Sequence, residues 1–328
     1  MTSKKGALFL CLVLFLAMML LPLAALGGGG AAGSAPPGSA GGAGTAKLSG
    51  RKFLVRDTST GKILTVDDRE FLLGTVATEL SPDAPAEALK AQAVAAYTYY
   101  SRIRETKRAQ NAASDFDATP ASWNVYAPDE ARRQRWGGSY ETYEKALAGA
   151  VDAVSGQVLK YGGALIDATY FATSAGNTED AADVWGSKCA YLVSVASPWD
   201  AYAGGFETSA SFSEDDFRAR VLKAAPNAVF PGDAASWAGK ADRSAAGTVK
   251  TIVLGGRTLT GSQVRSAFGL RSANFTLAHE GGKFTFTVKG YGHGVGMSQT
   301  GAEGMAKQGA GYREILAWYY PGTALTTL

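Results

Sequence analysis

Cysteine and histidine are scarce in this chain. Among 328 residues there are two of each: Cys11 and Cys189, His279 and His293. Cys11 lies inside a long apolar run and reads as packing, so Cys189 stands alone in the rest of the chain. An internal disulfide is therefore impossible there, and a cysteine-based zinc site is disfavoured. Neither histidine belongs to a cluster with metal-ligand spacing, which argues against a catalytic zinc. A Ser-His-Asp hydrolase would have to use one of these two histidines, and Gly-x-Ser-x-Gly is absent. No Gly-Lys-Ser/Thr follows the glycine-rich segment, so it is not a Walker loop. Gly292-x-Gly294-x-Gly296 also has the wrong last spacing for a dinucleotide fingerprint. A net charge of +3 is too small to point to nucleic acid.

What is present begins with residues 6–26, an uncharged apolar run behind Lys4-Lys5. About 20 apolar residues span a bilayer, and the two lysines favour the cytoplasmic side. The expected order is a cytoplasmic tip (1–5), a single-pass anchor (6–26), a Gly/Ala/Ser/Pro linker (27–46) and an extracytoplasmic domain (47–328). Length favours a retained anchor over a cleaved signal, for which Ala25-Leu26-Gly27 is a loose small-x-small site.

The domain reads as α+β, a helical segment packed with β-rich lobes. Two strand-like runs between 52 and 66 flank a turn at Asp57-Thr58-Ser59-Thr60-Gly61. Leu72, Leu73, Val76 and Leu80 recur at helical spacing. Ser81-Pro82-Asp83 breaks that helix, and Asp83 is positioned to cap the next. Residues 86–107 form a long Ala-rich helix. Residues 109–136 look irregular, with Trp123, Tyr126 and Trp136 as aromatics for stacking on sugar or pinning the loop. A helix over 140–154 follows, then strands at 158–161 and 168–171 around Gly162-Gly163. Ser213 opens a capped helix, 249–254 is a strand, 262–268 a short helix, and Gly281-Gly282 turns a hairpin.

Glu79, in Val76-Ala77-Thr78-Glu79-Leu80-Ser81-Pro82, is the leading functional candidate. A carboxylate held on rigid helix beside small apolar neighbours loses water, and desolvation raises its pKa towards that of a general acid near neutral pH. A cap or salt bridge at a helix end is the ordinary alternative. Residues 173–179 form a hydroxyl-rich turn, suited either to presenting donors or simply to turning the chain. Residues 290–299, Gly-Tyr-Gly-His-Gly-Val-Gly-Met-Ser-Gln, leave a strand and enter a helix. Glycines there permit close backbone approach to a ligand, and a helix start offers N–H donors.

Thr75-Val76-Ala77-Thr78-Glu79-Leu80, together with the segment 87–96, resembles the amino-terminal signature of the SpoIID/LytB family. Residues 170–179, Val184-Trp185-Gly186, Tyr191-Leu192 and Ser197-Pro198-Trp199-Asp200 resemble its middle block, and 290–301 with Tyr319-Tyr320-Pro321-Gly322 its carboxy-terminal block. The resemblance implies a lytic transglycosylase that cuts peptide-stripped peptidoglycan strands during sporulation engulfment, alongside an amidase and a membrane protein. It places the catalytic glutamate on Glu79. A glycosidase usually needs two carboxylates. One suffices when the muramic C6 hydroxyl is the nucleophile, with Glu79 acting as acid and then base. Gln92, Ser174, His293, Ser298 and Gln299 are the expected sugar-holding residues. Some relatives bind zinc through a middle-block histidine and cysteines. Here Tyr-His-Ser reads Tyr170-Phe171-Ala172, so no metal is expected, and no cofactor. The Arg usual in the following turn is Asn177, which puts a charged contact there in doubt. Two alternatives stay open: a non-catalytic enhancer of an amidase, and a scaffold.

Overall fold

A computed structural model describes residues 51–118 and 125–328. The expected anchor, the linker and Trp123 lie outside the described residues. Among the described residues no helix is long and apolar enough to cross a membrane, so the expectation of a single-pass membrane protein is withdrawn.

The architecture is α+β with two hydrophobic cores. The first begins with a hairpin, β1 (Lys52–Asp57) and β2 (Ile63–Asp67), turned as expected at Asp57. The Asp57 carboxylate accepts from the Ser59 amide at 2.8 Å and from the Ser59 and Thr60 hydroxyls. Helix α1 (Asp68–Glu79) follows, then α2 (Ala86–Ala109). Side-chain packing rather than a single amphipathic stripe holds α1, because every residue from Phe71 to Ala77 is buried. The cap of α2 differs from expectation. Pro85 occupies that position with no side-chain cap, and Asp83 does not serve.

The segment expected to be irregular contains a short strand, β3 (Phe116–Ala118), parallel to β1, and a helix, α3 (Asp129–Trp136). The sequence of α3, DEARRQRW, has no apolar stripe to announce it. It is held by Arg132, which is fully buried. That guanidinium donates to Glu70 and Glu144 at 2.9 and 2.8 Å and to the Ala127 carbonyl at 2.8 Å. The segment's aromatics serve packing. Tyr126 is buried and stacks on Phe71 at 5.6 Å, and Trp136 packs edge-on against Tyr143. Gly74 lets this segment close on α1, since a Cβ there would come within 2.4 Å of the Ala127 carbonyl oxygen.

Helix α4 (Tyr140–Ala153) leads into β4 (Gln157–Tyr161) and β5 (Ala164–Leu165). Strand β6 (Tyr170–Phe171) does not join that hairpin. It runs parallel to β13 (Met297–Ser298), far along the chain. Short helix α5 (Ala181–Trp185) completes this stretch.

The second core is one contiguous insertion. It comprises β7 (Glu207–Ser213), α6 (Glu214–Ala224), β8 (Ala238–Arg243), β9 (Val249–Leu254), β10 (Arg257–Thr260), α7 (Gly261–Phe268), β11 (Phe275–Glu280) and β12 (Lys283–Lys289). Two antiparallel sheets, ordered β10-β9-β8 and β11-β12-β7, pack with α6 and α7 around Phe217, Phe268, Phe284 and Phe286. The chain then returns to the first core through β13, α8 (Gln299–Lys307), α9 (Tyr312–Tyr319) and β14 (Ala324–Thr327), the last pairing with β4.

Candidate active site

Glu79 is the last residue of α1, at the negative end of the helix dipole, where a carboxylate is disfavoured. It is half-buried, and no cation forms an ion pair with it among the described residues. Burial pushes its carboxyl up to about 7, against the opposing effect of hydrogen bonds from Gln299 and Tyr170. The group is therefore poised to be both proton donor and acceptor near neutral pH.

Three segments converge on it. The pairing of β6 with β13 sets Tyr170 beside Met297 and brings Gln299, first residue of α8, up to α1. Gln299 Nε2 donates to Glu79 Oε2 at 3.2 Å and lies 3.5 Å from Gln92 Oε1. Gln92 is fully buried on α2, and its Nε2 finds no partner among the described residues. Tyr99 and Tyr100, also on α2, complete the surroundings. Burial raises both phenols, with the Glu79 charge adding to the effect. Glu79, Gln92 and Gln299, expected to act together, are thus brought together.

The other three expected sugar contacts are placed elsewhere. Ser174 and Ser298 spend their hydroxyls on Asp200, which is fully buried. Ser174 Oγ donates to Asp200 Oδ2 at 2.9 Å, Ser298 Oγ to Oδ1 at 2.5 Å, and Ser197 adds a third hydroxyl, itself 2.6 Å from Tyr319 Oη. Burial raises the Asp200 carboxyl and these serines oppose it. The physical reason for this arrangement is that a buried carboxylate needs donors, and these hydroxyls supply them. Asp200 was legible only as one letter of Ser-Pro-Trp-Asp, with nothing to mark it as the centre of a network.

His293 also serves the fold. Its ring lies 5.6 Å from Phe171 and 5.4 Å from Trp185, and its Nδ1 accepts from the Val295 amide at 3.1 Å. Burial and the Arg265 charge lower it to about 4, while the Tyr170 backbone opposes that shift. It is thus a neutral ring that pins the glycine loop to β6. His293 and Ser174 line a separate cleft of about 20 Å³ with Asn177, Glu179, Asn274 and Lys289, and Glu79 is not part of its wall.

The glycines have a similar explanation. Gly290, Gly292, Gly294 and Gly296 all take positive φ, from 73 to 119°, which only glycine adopts freely. A Cβ at Gly292 would meet Phe171 at 2.7 Å, and one at Gly296 the Thr169 carbonyl at 2.0 Å. The close approach is therefore to the protein's own middle segment. The first amides of α8 are likewise used internally: Thr300 donates to the Ala172 carbonyl, and Gly301 to Ser298 Oγ.

Among the described residues no three His, Cys, Asp or Glu side chains are grouped to hold a metal. Phe171, which stands in the place of the motif histidine, packs against His293 instead.

Comparison with known proteins agrees with the blocks around Glu79. A family model described as SpoIID, stage II sporulation protein, matches residues 56–161. Stage II sporulation protein D of Bacillus subtilis (strain 168) is 36% identical over 289 residues, spanning 87% of this chain and 82% of the relative. The chain belongs to the stage II sporulation protein D family. The family's Bacillus amyloliquefaciens member is 35% identical, spanning 82% of this chain and 77% of its own. An amidase enhancer of B. subtilis is 28% identical over 78% of this chain and 40% of the enhancer. The matched region 56–161 contains α1 and α2, hence Glu79 and Gln92.

Proposed function

We propose that the protein is a peptidoglycan lytic transglycosylase acting on peptide-stripped glycan strands. The observation that carries this reading is the Glu79 carboxyl: half-buried, without a cationic partner among the described residues, held by a neutral amide donor and raised to about 7. In the first step protonated Glu79 gives its proton to the glycosidic oxygen as the C1–O bond breaks. In the second, the muramic C6 hydroxyl bonds to C1 and its proton returns to the Glu79 carboxylate. The product carries a 1,6-anhydro ring, no water is consumed, and Glu79 ends in its starting state. Gln299 keeps the carboxyl oriented in both steps, and Gln92 anchors Gln299 from behind. An amidase that removes stem peptides would supply the substrate.

The direct test is release of 1,6-anhydro ends from denuded glycan by the purified protein and by Glu79→Gln. The variant should lose release, and undiminished release would sink the assignment. The similarity to an amidase enhancer favours a second reading, a non-catalytic module that binds glycan or stimulates an amidase. Stimulation of a purified amidase by Glu79→Gln, with no cleavage by the unaltered protein, would favour that reading.

A further inference from the structure

Gln299 presents its amide nitrogen to two oxygens at once. Nε2 donates to Glu79 Oε2 at 3.2 Å and lies 3.5 Å from Gln92 Oε1. A carboxamide nitrogen has two hydrogens, one for each of these acceptors. Turned about its last bond, Gln299 would set its own oxygen against both of theirs. That arrangement is tolerable only if Gln92 turns as well and Glu79 holds a proton on Oε2. Gln92 is fully buried on α2 and Gln299 nearly so. Gln299 is the one hydrogen-bond partner of the Gln92 side chain among the described residues, since Gln92 Nε2 has none. Resting on the glycan-cleaving reading above, we propose that Gln92 is a positioning residue that does not touch the sugar: its amide oxygen keeps the N–H edge of Gln299 on Glu79 Oε2, which leaves Oε1 to give and regain the proton.

The two oxygens of a carboxyl group cease to be equivalent once one of them accepts a hydrogen bond. A proton on Oε2 would set an O–H against the Gln299 N–H, so the proton resides on Oε1. With Gln299 turned, the Glu79 O–H would donate to the Gln299 amide oxygen and would be withheld from the glycosidic oxygen. The ionised form would also lose its amide donor and face a lone pair, where burial already disfavours charge. Both changes favour the protonated acid. Gln92 prevents the turn because no water can replace it as acceptor in a fully buried position. Its neighbours Ala91, Ala93, Ala95 and Ala96 are buried too, so close packing of α2 leaves the side chain no route to solvent. The titratable groups that feel the Glu79 charge are the phenols of Tyr99 and Tyr100 on α2 and Tyr170 on β6. Burial raises all three, so none exchanges a proton where Glu79 titrates. No charged side chain pairs with Glu79 among the described residues.

The experiment is a double-mutant cycle of Gln92→Met and Gln299→Met, methionine being unbranched and of similar length. Gln92→Leu takes the first place if Gln92→Met does not fold. Two readouts are taken: kcat and KM on denuded glycan, and the Glu79 side-chain carboxyl shift followed by carbon NMR across pH. In Gln92→Met the Glu79 titration should move up by about 0.5–1 unit. The value of kcat should fall about 10-fold with KM little changed. Gln299→Met should move both in the same direction by at least as much. The double variant should lose no more than Gln299→Met alone, because Gln92 acts only through Gln299. Additive losses overturn the proposal, since a residue that merely packs α2 would contribute its own. A raised KM in Gln92→Met overturns it as well, by making Gln92 a sugar contact, and so does a Glu79 titration left unmoved in that variant. A Glu79 titration that follows the cycle in a protein that cleaves no glycan would instead sink the transglycosylase reading and leave the coupling of Gln92, Gln299 and Glu79 standing.

Discussion

Phe217 stacks on Phe284 at 3.7 Å in the second core, with Phe268, Phe286 and Trp237 around them. Of the charged contacts of that region, Arg218 with Asp215 and Lys289 with Glu207 are exposed, His279 with Glu214 and Lys250 with Asp183 are partly exposed, and none of these four has both side chains buried. The first core is apolar too, but charge is threaded through it. Arg104 pairs with Asp68 at 2.7 Å with both side chains buried, and Tyr97 donates to the same carboxylate. Arg132 bridges two glutamates, Asp200 gathers three serines, and Glu79 sits among phenols and amides. A core that contains only apolar groups is stable over a wide pH range. One that buries ionisable groups is exposed to pH, and one of its carboxyls can be left short of charge compensation for chemical use. The candidate site therefore belongs to the first core.

The sharpest way to break this comparison is Glu79→Gln. Glycan cleavage should fall by about 10²–10⁴-fold or more, while Phe284→Leu in the second core, in variants that stay folded, should leave it within a few-fold. Release assays on both variants decide the matter, and equal losses would remove the distinction.

Next in size are the structural centres. Phe217→Ala should cost roughly 3–5 kcal/mol by cavity formation. Asp200→Ala should cost about 3 kcal/mol or more, because it leaves buried hydroxyls of Ser174, Ser197 and Ser298 without their acceptor. Urea unfolding would measure both. The two losses should be of similar size although their causes differ.

A smaller effect separates the cores by pH. The Glu79 pKa is raised on folding, from 4.5 to about 7, so the folded state holds a proton that the unfolded state has released between those values. Stability contributed by this group is complete below the unfolded pKa and is lost as pH rises through about 7. Glu79→Gln should therefore stabilise the protein at pH 8 by about 2 kcal/mol at most, given partial exposure, and by almost nothing at pH 4. Denaturation at the two pH values checks the sign. Smallest of all is Arg56→Ala, which removes an exposed bidentate pair with Asp117. It should change stability little, and less still at high salt.

Much of the fold was legible wherever its cause is local. The Asp57 turn, the Gly281-Gly282 hairpin, the Ser213 cap of α6, and helices α1 and α2 follow from turn chemistry and periodicity within a few residues of chain. Helix α3 was not legible, because its support comes from Glu70 and Glu144 on other helices through Arg132. Strand β6 could be read as extended, but its partner β13 lies near the other end of the chain. The same division runs through the site. Glu79 was marked by its helix end and apolar neighbours. Gln92 and Gln299 were named with it, but Ser174, Ser298 and His293 were named with equal reason and fold onto Asp200 and Phe171 instead. A hydroxyl or an imidazole in sequence carries no sign of which buried acceptor or ring will claim it.

The residue pattern alone determined the α+β class, the helices that frame Glu79, the family, and the lack of a cysteine or histidine cluster for metal chemistry. Each of these depends on residue type and short-range spacing. Tertiary structure alone decided which polar groups surround Glu79 and which are consumed in holding the core. That choice depends on which donors reach a buried carboxylate first, and the competition is settled only when α1, α2, β6 and α8 pack together.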